Sequence, residues 1–358
     1  MRTAFARLIF FGLLVAALSL PAVNFPALAQ QQKPPKAPDQ QKEKPQGEFA
    51  LSVEVPLVSV DVVITDNNGT FLSGLQKGNF RVLEDGVPQV ITNFSPTDAP
   101  ITMVLLVEFS NVYGPYIAAR TAWMAQNFLR ELKPDDWIAL ITFDLRSHIE
   151  ADFTRNKMDI ERSLRQLFMP SFSEACVYDA LYETVERLQD VKGKKAILLI
   201  ASGRDTFSKK TLDDILKRLR ETDVTIFTIS SGKDFTDYLD SHGYNSGSWG
   251  FVNRMDTLQA ENQMRAFASL TGGRSWAPQF EGEWPGIFSD VAASLRNQYT
   301  IGYSPINRAR DGKVRKIKVQ LVDAQGNPLV VQDQKGKKVK YVIYAREGYT
   351  VPKSGVSD

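Results

Sequence analysis

The chain holds one cysteine, Cys176, and two histidines, His148 and His242, in 358 residues. A single thiol cannot close an internal disulfide, so stability has to come from packing. Two imidazoles cannot build a zinc site without several carboxylates, and neither sits in a pairing motif with a nucleophile. Excess charge is missing as well: 43 Lys and Arg face 41 Asp and Glu, a net charge of +2, so nothing marks nucleic acid or an anionic membrane as a partner. A glycine-rich phosphate loop is also lacking, because "SGRDTFSKK" has neither the Lys-Ser/Thr ending nor the required glycine spacing. What is present is a hydrophobic content of 43%, enough for two globular domains with real cores.

The first residues place Arg2 and Arg7 ahead of an apolar run from Leu8 to Leu20, then Pro21, Pro26 and a small-x-small Ala27-Leu28-Ala29. This reads as a secretory signal over residues 1–29, cut after Ala29. The run falls short of the roughly 20 apolar residues a spanning helix needs, and no later segment spans a bilayer. The expectation is an exported protein, periplasmic or secreted, with no stable membrane insertion once the signal is cut. Residues 30–48, "QQQKPPKAPDQQKEKPQGE" in Gln, Lys and Pro, hold almost nothing apolar and read as a disordered polar linker.

Residues 49–98 form an N-terminal β segment: Val58, Val60, Val62 and Ile64 alternate with polar neighbours, and Asn68-Gly69 and Asp85-Gly86 supply two-residue hairpin turns. From residue 99 to 298 the pattern changes to strands separated by amphipathic helices. Apolar runs Met103 to Val107, Trp137 to Phe143, Ala196 to Ala201 and Val224 to Ile229 alternate with helical stretches, the first of which carries Ala118, Ala122, Ala125, Phe128 and Leu132 on one face. Helices at Ala260 to Leu270 and Trp284 to Gln298 bracket a short strand at Arg274 to Ala277, where Gly272 and Gly273 supply unusual backbone angles. Strand, helix, strand in repetition means a doubly wound, mostly parallel α/β sheet. Residues 299–352 return to β, in "YTIGYS", "KVRKIKVQLVD" and "KVKYVIYAREGY", ahead of a tail at 353–358. The two β flanks are expected to pair into one β-sandwich, since each alone has few strands with which to close a core.

The order of "FRVLEDGVPQVITNF", "VLLVEFS", "VYDALYETVERL", "KKAILLIASGRDTFS", "LTGGRSWAP" and the closing "YTIGYSP" to "REGY" is specific where no one landmark would be. The block from Pro100 to Gln298 resembles a von Willebrand factor type A domain, and the mature chain is similar to exported proteins of acidobacteria and relatives that carry such a domain between β segments. The resemblance implies a Mg²⁺ or Mn²⁺ site at the carboxyl end of the sheet, built from an Asp-x-Ser-x-Ser run, a Thr and an Asp, with one position left for a protein partner's carboxylate.

Matched residue by residue, that set decays. Glu108 replaces the first Asp, Ser110 is kept, Asn111 follows it, Val112 replaces the second Ser, Ala175 falls on the Thr position and Ser202 on the second Asp. Mg²⁺ demands near-octahedral oxygen donors at about 2.0–2.1 Å, and Glu108 carries one methylene too many. The expectation is a degenerate site with no cofactor, and a non-catalytic module that binds a protein through Glu108, Ser110, Asn111, Ser202 and Asp205. The long segment from Gly232 to Asp256 would add Tyr244, Trp249 and Phe251, because aromatics on loops give contact area at low entropic cost. Alternatives are a metal-dependent module that recruits Asp144, Glu174 or Asp205 to hold Mg²⁺ or Mn²⁺, a structural part of an envelope assembly, and a hydrolase built on Cys176 or a serine. Cys176 and His148 read first as structural residues.

Overall fold

The computed structural model describes residues 57–97, 99–110, 127–167, 172, 174–231, 254–332 and 336–353. The expected signal, linker and first residues of the N-terminal segment lie outside them, as do residues 354–358.

Alternation along the first flank builds β1 (Val58–Asp66), β2 (Phe80–Glu84), β3 (Val87–Gln89) and β4 (Ile91–Thr97). The last flank supplies β11 (Gln298–Tyr303), β12 (Val314–Leu321), β13 (Val331–Gln332), β14 (Lys338–Val339), β15 (Tyr341–Ala345) and β16 (Gly348–Thr350). The flanks interleave. One four-stranded sheet runs β15-β1-β11-β4 and another β16-β12-β2-β3, so β1 lies between two strands from the far end of the chain. Both partners of β1 are antiparallel, with Val60 opposite Ile301 and Ile64 opposite Ile343. Val60, Val62, Ile64, Phe80, Val82, Ile301 and Leu321 fill the space between the sheets. At one point a polar group enters this core: the buried Glu84 carboxylate accepts from the Tyr303 hydroxyl at 2.8 Å and the Tyr349 hydroxyl at 3.0 Å. Burial, together with the neighbouring Glu84 charge, pushes both phenols far up, so they stay as donors.

Between the flanks lies a six-stranded sheet of order β10-β9-β8-β5-β6-β7, formed by β5 (Ile101–Glu108), β6 (Trp137–Phe143), β7 (Ser147–Thr154), β8 (Lys194–Ala201), β9 (Thr225–Ser230) and β10 (Ser275–Trp276). All neighbours are parallel except β7, which hairpins back on β6 and carries His148. Both faces are covered, which is why the central strands read as unbroken apolar runs. Met103, Leu105 and Val107 pack against α1 (Lys157–Gln166), α5 (Trp284–Arg296) and the helical residues 127–131, while Val104 and Leu106 pack against α2 (Val177–Arg187), α3 (Leu212–Glu221) and α4 (Arg254–Thr271). Helix α3 starts where Thr211 and Asp214 exchange side-chain and backbone bonds in a capping box. Buried Asp136 fixes the entrance to β5, accepting from the backbone N–H of Ile101 at 3.1 Å and of Lys133 at 2.8 Å, and pairing with Arg296 at the end of α5.

Three local readings need correction. The helix expected to reach Gln298 ends at Arg296, because Asn297 turns back to bond Ala293 O at 2.8 Å and Gln298 is already paired in β11. Asn68-Gly69 is not a two-residue hairpin. Asp66 Oδ1 accepts from the N–H of Asn68 and Thr70, both at 2.8 Å, and Gly69 takes φ +84°, a three-residue loop. Asp85-Gly86 does match expectation, with φ +48° and +84°. Gly272 uses a left-handed φ of +83°, but Gly273 does not: it is needed for space, since a Cβ there would sit 2.0 Å from Ile226 O on β9.

Gly273→Ala is therefore expected to cost more than Gly69→Ala. The first forces apart α4 and β9, an overpacking penalty of ~3 kcal/mol or more. The second meets no atom within 4 Å and pays only left-handed strain, ~1–2 kcal/mol. Urea unfolding of the two variants beside the wild type measures the order, which reverses if backbone angle outweighs close packing.

Candidate functional site

The chain leaves β5 toward β6 on one side and returns to β8 on the other, so the crevice between the carboxyl ends of β5 and β8 is the topological switch point. Val107 lies opposite Ile200, which sets Glu108, the last residue of β5, against Ser202, the first after β8. The two are bonded twice: Glu108 Oε2 accepts from Ser202 N at 2.7 Å and from Ser202 Oγ at 2.8 Å. Glu108 Oε1 accepts from Ser110 Oγ at 2.8 Å. Glu108, Ser110 and Ser202 are 5%, 3% and 2% exposed. Burial pushes the Glu108 carboxyl above its ordinary range, while the N–H and hydroxyl of Ser202, the Ser110 hydroxyl and the charge of Arg204 pull the other way. Ser202 Oγ also accepts from Arg204 N at 3.1 Å.

The loop before α2 meets the loop after β8 through backbone. Ala175 N donates to Thr206 Oγ1 at 2.9 Å, and Ala175 O accepts from Thr206 N at 2.9 Å and Phe207 N at 3.3 Å. Asp205 caps α2: its Oδ1 accepts from Tyr178 N at 3.2 Å and from Ser208 Oγ at 2.5 Å, and burial holds its carboxyl above the usual range. Asp179 closes the same seam from the other side, accepting from the N–H of Lys209 at 2.9 Å and Lys210 at 2.8 Å. Asp144 Oδ1 contacts His148 Nε2 at 3.2 Å, and its carbonyl accepts from Cys176 N at 2.8 Å. Glu174 is exposed.

This donor set does not fit a small divalent cation. Both Glu108 oxygens are spent on hydroxyl and amide donors, Ala175 offers no side-chain oxygen, and Asp205 and Asp144 are committed to α2 and to His148. Among the described residues no group of three or more His, Cys, Asp and Glu side chains converges. The structure brings Glu108, Ser110 and Ser202 together and sets Asp205 one loop position away. Glu108, Ser110 and Ser202 sit beneath the surface rather than on it. Asn111, Tyr244, Trp249 and Phe251 lie outside the described residues. Sequence reasoning passed over Phe207 and Phe172, which are 60% and 44% exposed on the two seamed loops. A large aromatic among Asp, Thr and Ser just after a buried strand was the available signal.

An open α/β sheet with a crevice at the switch point defines the class of domain, one that meets ligands at the carboxyl edge. Residues 102–262 match the family model of the von Willebrand factor type A domain, and the chain carries a domain of that family. Solved structures with a similar fold include the conserved hypothetical protein BatB from Bacteroides thetaiotaomicron, at 11% identity and TM-score 0.41, covering 55% of this chain and 100% of that one. The vWF domain of the type V pili tip protein Mfa5 from Porphyromonas gingivalis matches at 12% identity and TM-score 0.41, over 56% of this chain and 96% of that one. A von Willebrand factor type A protein from Catenulispora acidiphila matches at 10% identity and TM-score 0.42, over 82% of this chain and 74% of that one. At such values these likenesses carry no functional argument.

Two outcomes are expected of the site. Glu108→Gln keeps every bond, with the amide donating to Ser110 Oγ and the oxygen accepting from Ser202, but cannot ionise. A carboxyl whose folded pKa is raised stabilises fully below its unfolded value, ~4.3, and loses that contribution as pH climbs through the folded pKa. The variant should therefore gain stability relative to wild type as pH rises above ~4.3, read as the difference in melting temperature between the two proteins. A pH-independent difference would contradict the burial argument. Cys176 is 1% exposed and its thiol is pushed up to about 12, first by burial and then by Asp179, Glu183, Asp205 and Asp144. A thiol-directed chromophore should label it only after denaturation, and labelling in the folded protein would reopen thiol chemistry.

Proposed function

We propose that this is an exported, non-catalytic protein-binding module, whose partner docks on the carboxyl edge of the six-stranded sheet without a bridging divalent cation. The observation that carries the reading is the triple bonding of Glu108 by Ser110 and Ser202, which takes up three of the about four acceptor sites of the carboxylate that stands at the metal-ligand position. Phe172 and Phe207 are exposed on adjoining loops above it, and two apolar rings joined through the Ala175 seam suit a protein surface. Arg204, 3.9 Å from Asp256, gives the rim a partly exposed cation. A role outside catalysis agrees with the buried thiol and with His148 engaged by Asp144. Export rests on the signal-like residues 1–29, and a periplasmic or secreted location follows from it.

The test is a melting-temperature titration of the chain without residues 1–29, in chelator and then in millimolar Mg²⁺ or Mn²⁺. A specific ligand at ~100 times its Kd adds ~2.7 kcal/mol, a shift of several degrees. No such shift is expected. A saturable rise that vanishes in Glu108→Ala would overturn the metal-free reading. Capture from the envelope fraction should be insensitive to chelator and lost in a Phe172→Ser, Phe207→Ser double variant; retention by that variant would place the partner elsewhere.

A further inference from the structure

We infer that the joint between the β-sandwich and the amino edge of the six-stranded sheet is a binding site for a small oxyanion, organised by Arg346. A pocket of about 320 Å³ opens at the joint. Ser59 and Thr300 line it from the sandwich, Lys194, Lys195 and Thr225 from the starts of β8 and β9, and Arg346 from the segment after β15. It lies at the end of the sheet opposite to Glu108, and so stands independently of the proposed docking edge.

Arg346 is held in place by its own backbone. The left-handed Gly272 at the end of α4 packs so closely that a Cβ would come within 2.7 Å of Arg346 N. Its guanidinium spends Nε on Gly348 O at 3.0 Å and Nη2 on Arg220 O at 3.2 Å, both neutral acceptors. Among the described residues no carboxylate comes within ion-pair distance of it. Burial pulls its pKa down, with Asp223 and Asp61 acting in the other sense from further off. A guanidinium remains charged under such a shift, and with two of its five N–H groups given to neutral carbonyls an anion is the acceptor that suits the rest.

Two acids also line the pocket, and both have partners. Asp223 pairs with Lys195 at 2.7 Å, and Asp61 accepts from Thr300 Oγ1 at 2.6 Å. Lys194, Lys195 and Arg346 against Asp61 and Asp223 leave one positive charge in excess. A charged guanidinium with N–H groups to spare, beside the Lys194 and Lys195 ammoniums bonded to Leu295 O and Asp223, lines a cavity wide enough for a phosphate, sulfate or carboxylate group. Its seat between the two domains means that occupancy would join them.

Inorganic phosphate, titrated by calorimetry and by melting temperature against sodium chloride of equal ionic strength, tests this on the chain without residues 1–29. Saturable one-to-one binding with a rise in melting temperature is expected. Arg346→Lys keeps the charge and loses the fork, and should bind more weakly. Arg346 also bonds across the joint, so a second variant is needed that leaves the fold alone. Ser59→Glu, at an exposed strand position, places a carboxylate at the pocket wall and should weaken phosphate roughly tenfold or more while its unfolding in chloride is unchanged. No saturable binding beyond the chloride control, or wild-type affinity in Ser59→Glu, would show an adventitious ion only and overturn the site.

Discussion

A carboxylate removed from water must be given donors, and Glu108 is given three within 2.8 Å. Unpaired, it would be among the most costly groups in the molecule; paired with Ser110 and Ser202 it becomes a tie between the end of β5 and the loop after β8. The rest of the carboxyl edge follows from that tie. Ser202 passes the connection to Arg204, Asp205 and Ser208 fasten the next residues to the start of α2, and Thr206 bonds both the N–H and the carbonyl of Ala175. Asp179 closes the loop by capturing the amides of Lys209 and Lys210. The polar groups of this edge are in large part bonded to one another. What it presents outward is the set of side chains the network does not use, Phe172 and Phe207 among them.

The chain's two flanks impose a second constraint. Because β1 takes β11 on one side and β15 on the other, the sandwich cannot be completed until the whole α/β domain has been made and its ends brought together. Contacts of this separation are slow to form and contribute only after the loop entropy has been met. Asp136 eases the closure, since it binds the first amide of β5 and the last arginine of α5, the two points at which the α/β domain joins the flanks.

Much of the fold was legible because it is written in periodicity. Val58 to Val62 alternate, Met103 to Val107 do not, and that contrast separates the start of a strand with one buried face from a strand with two. Less legible were features set by three-dimensional neighbours. Gly273 looks like a turn residue in sequence, yet its need is for clearance from Ile226 O, which no local pattern records. Asn68-Gly69 hid the role of Asp66, although Asp323 builds the same loop around Gly326 and the shared Asp-x-x-Gly spacing was there to be read. At the crevice, substitution of ligands could be counted residue by residue. The use made of the remainder could not: that Glu108 would turn both oxygens onto Ser110 and Ser202, and that Asp205 would serve α2, depends on the register of β5 against β8.

The position of the sandwich gives the two ends of the sheet different surroundings. Connections at Thr97 to Ile101 and Arg296 to Gln298 hold it against the amino edge, where strand starts bring Lys194 and Lys195 toward Arg346. Lys194, Lys195 and Arg346 outnumber Asp61 and Asp223 there, and the Thr300 hydroxyl donates to Asp61. The opposite edge is left clear of the sandwich, and its acids are consumed internally. The amino end thus carries one more cation than acid, while the carboxylates of the other end are bonded within the protein. No side chain that lines the joint takes part in the network at the opposite edge.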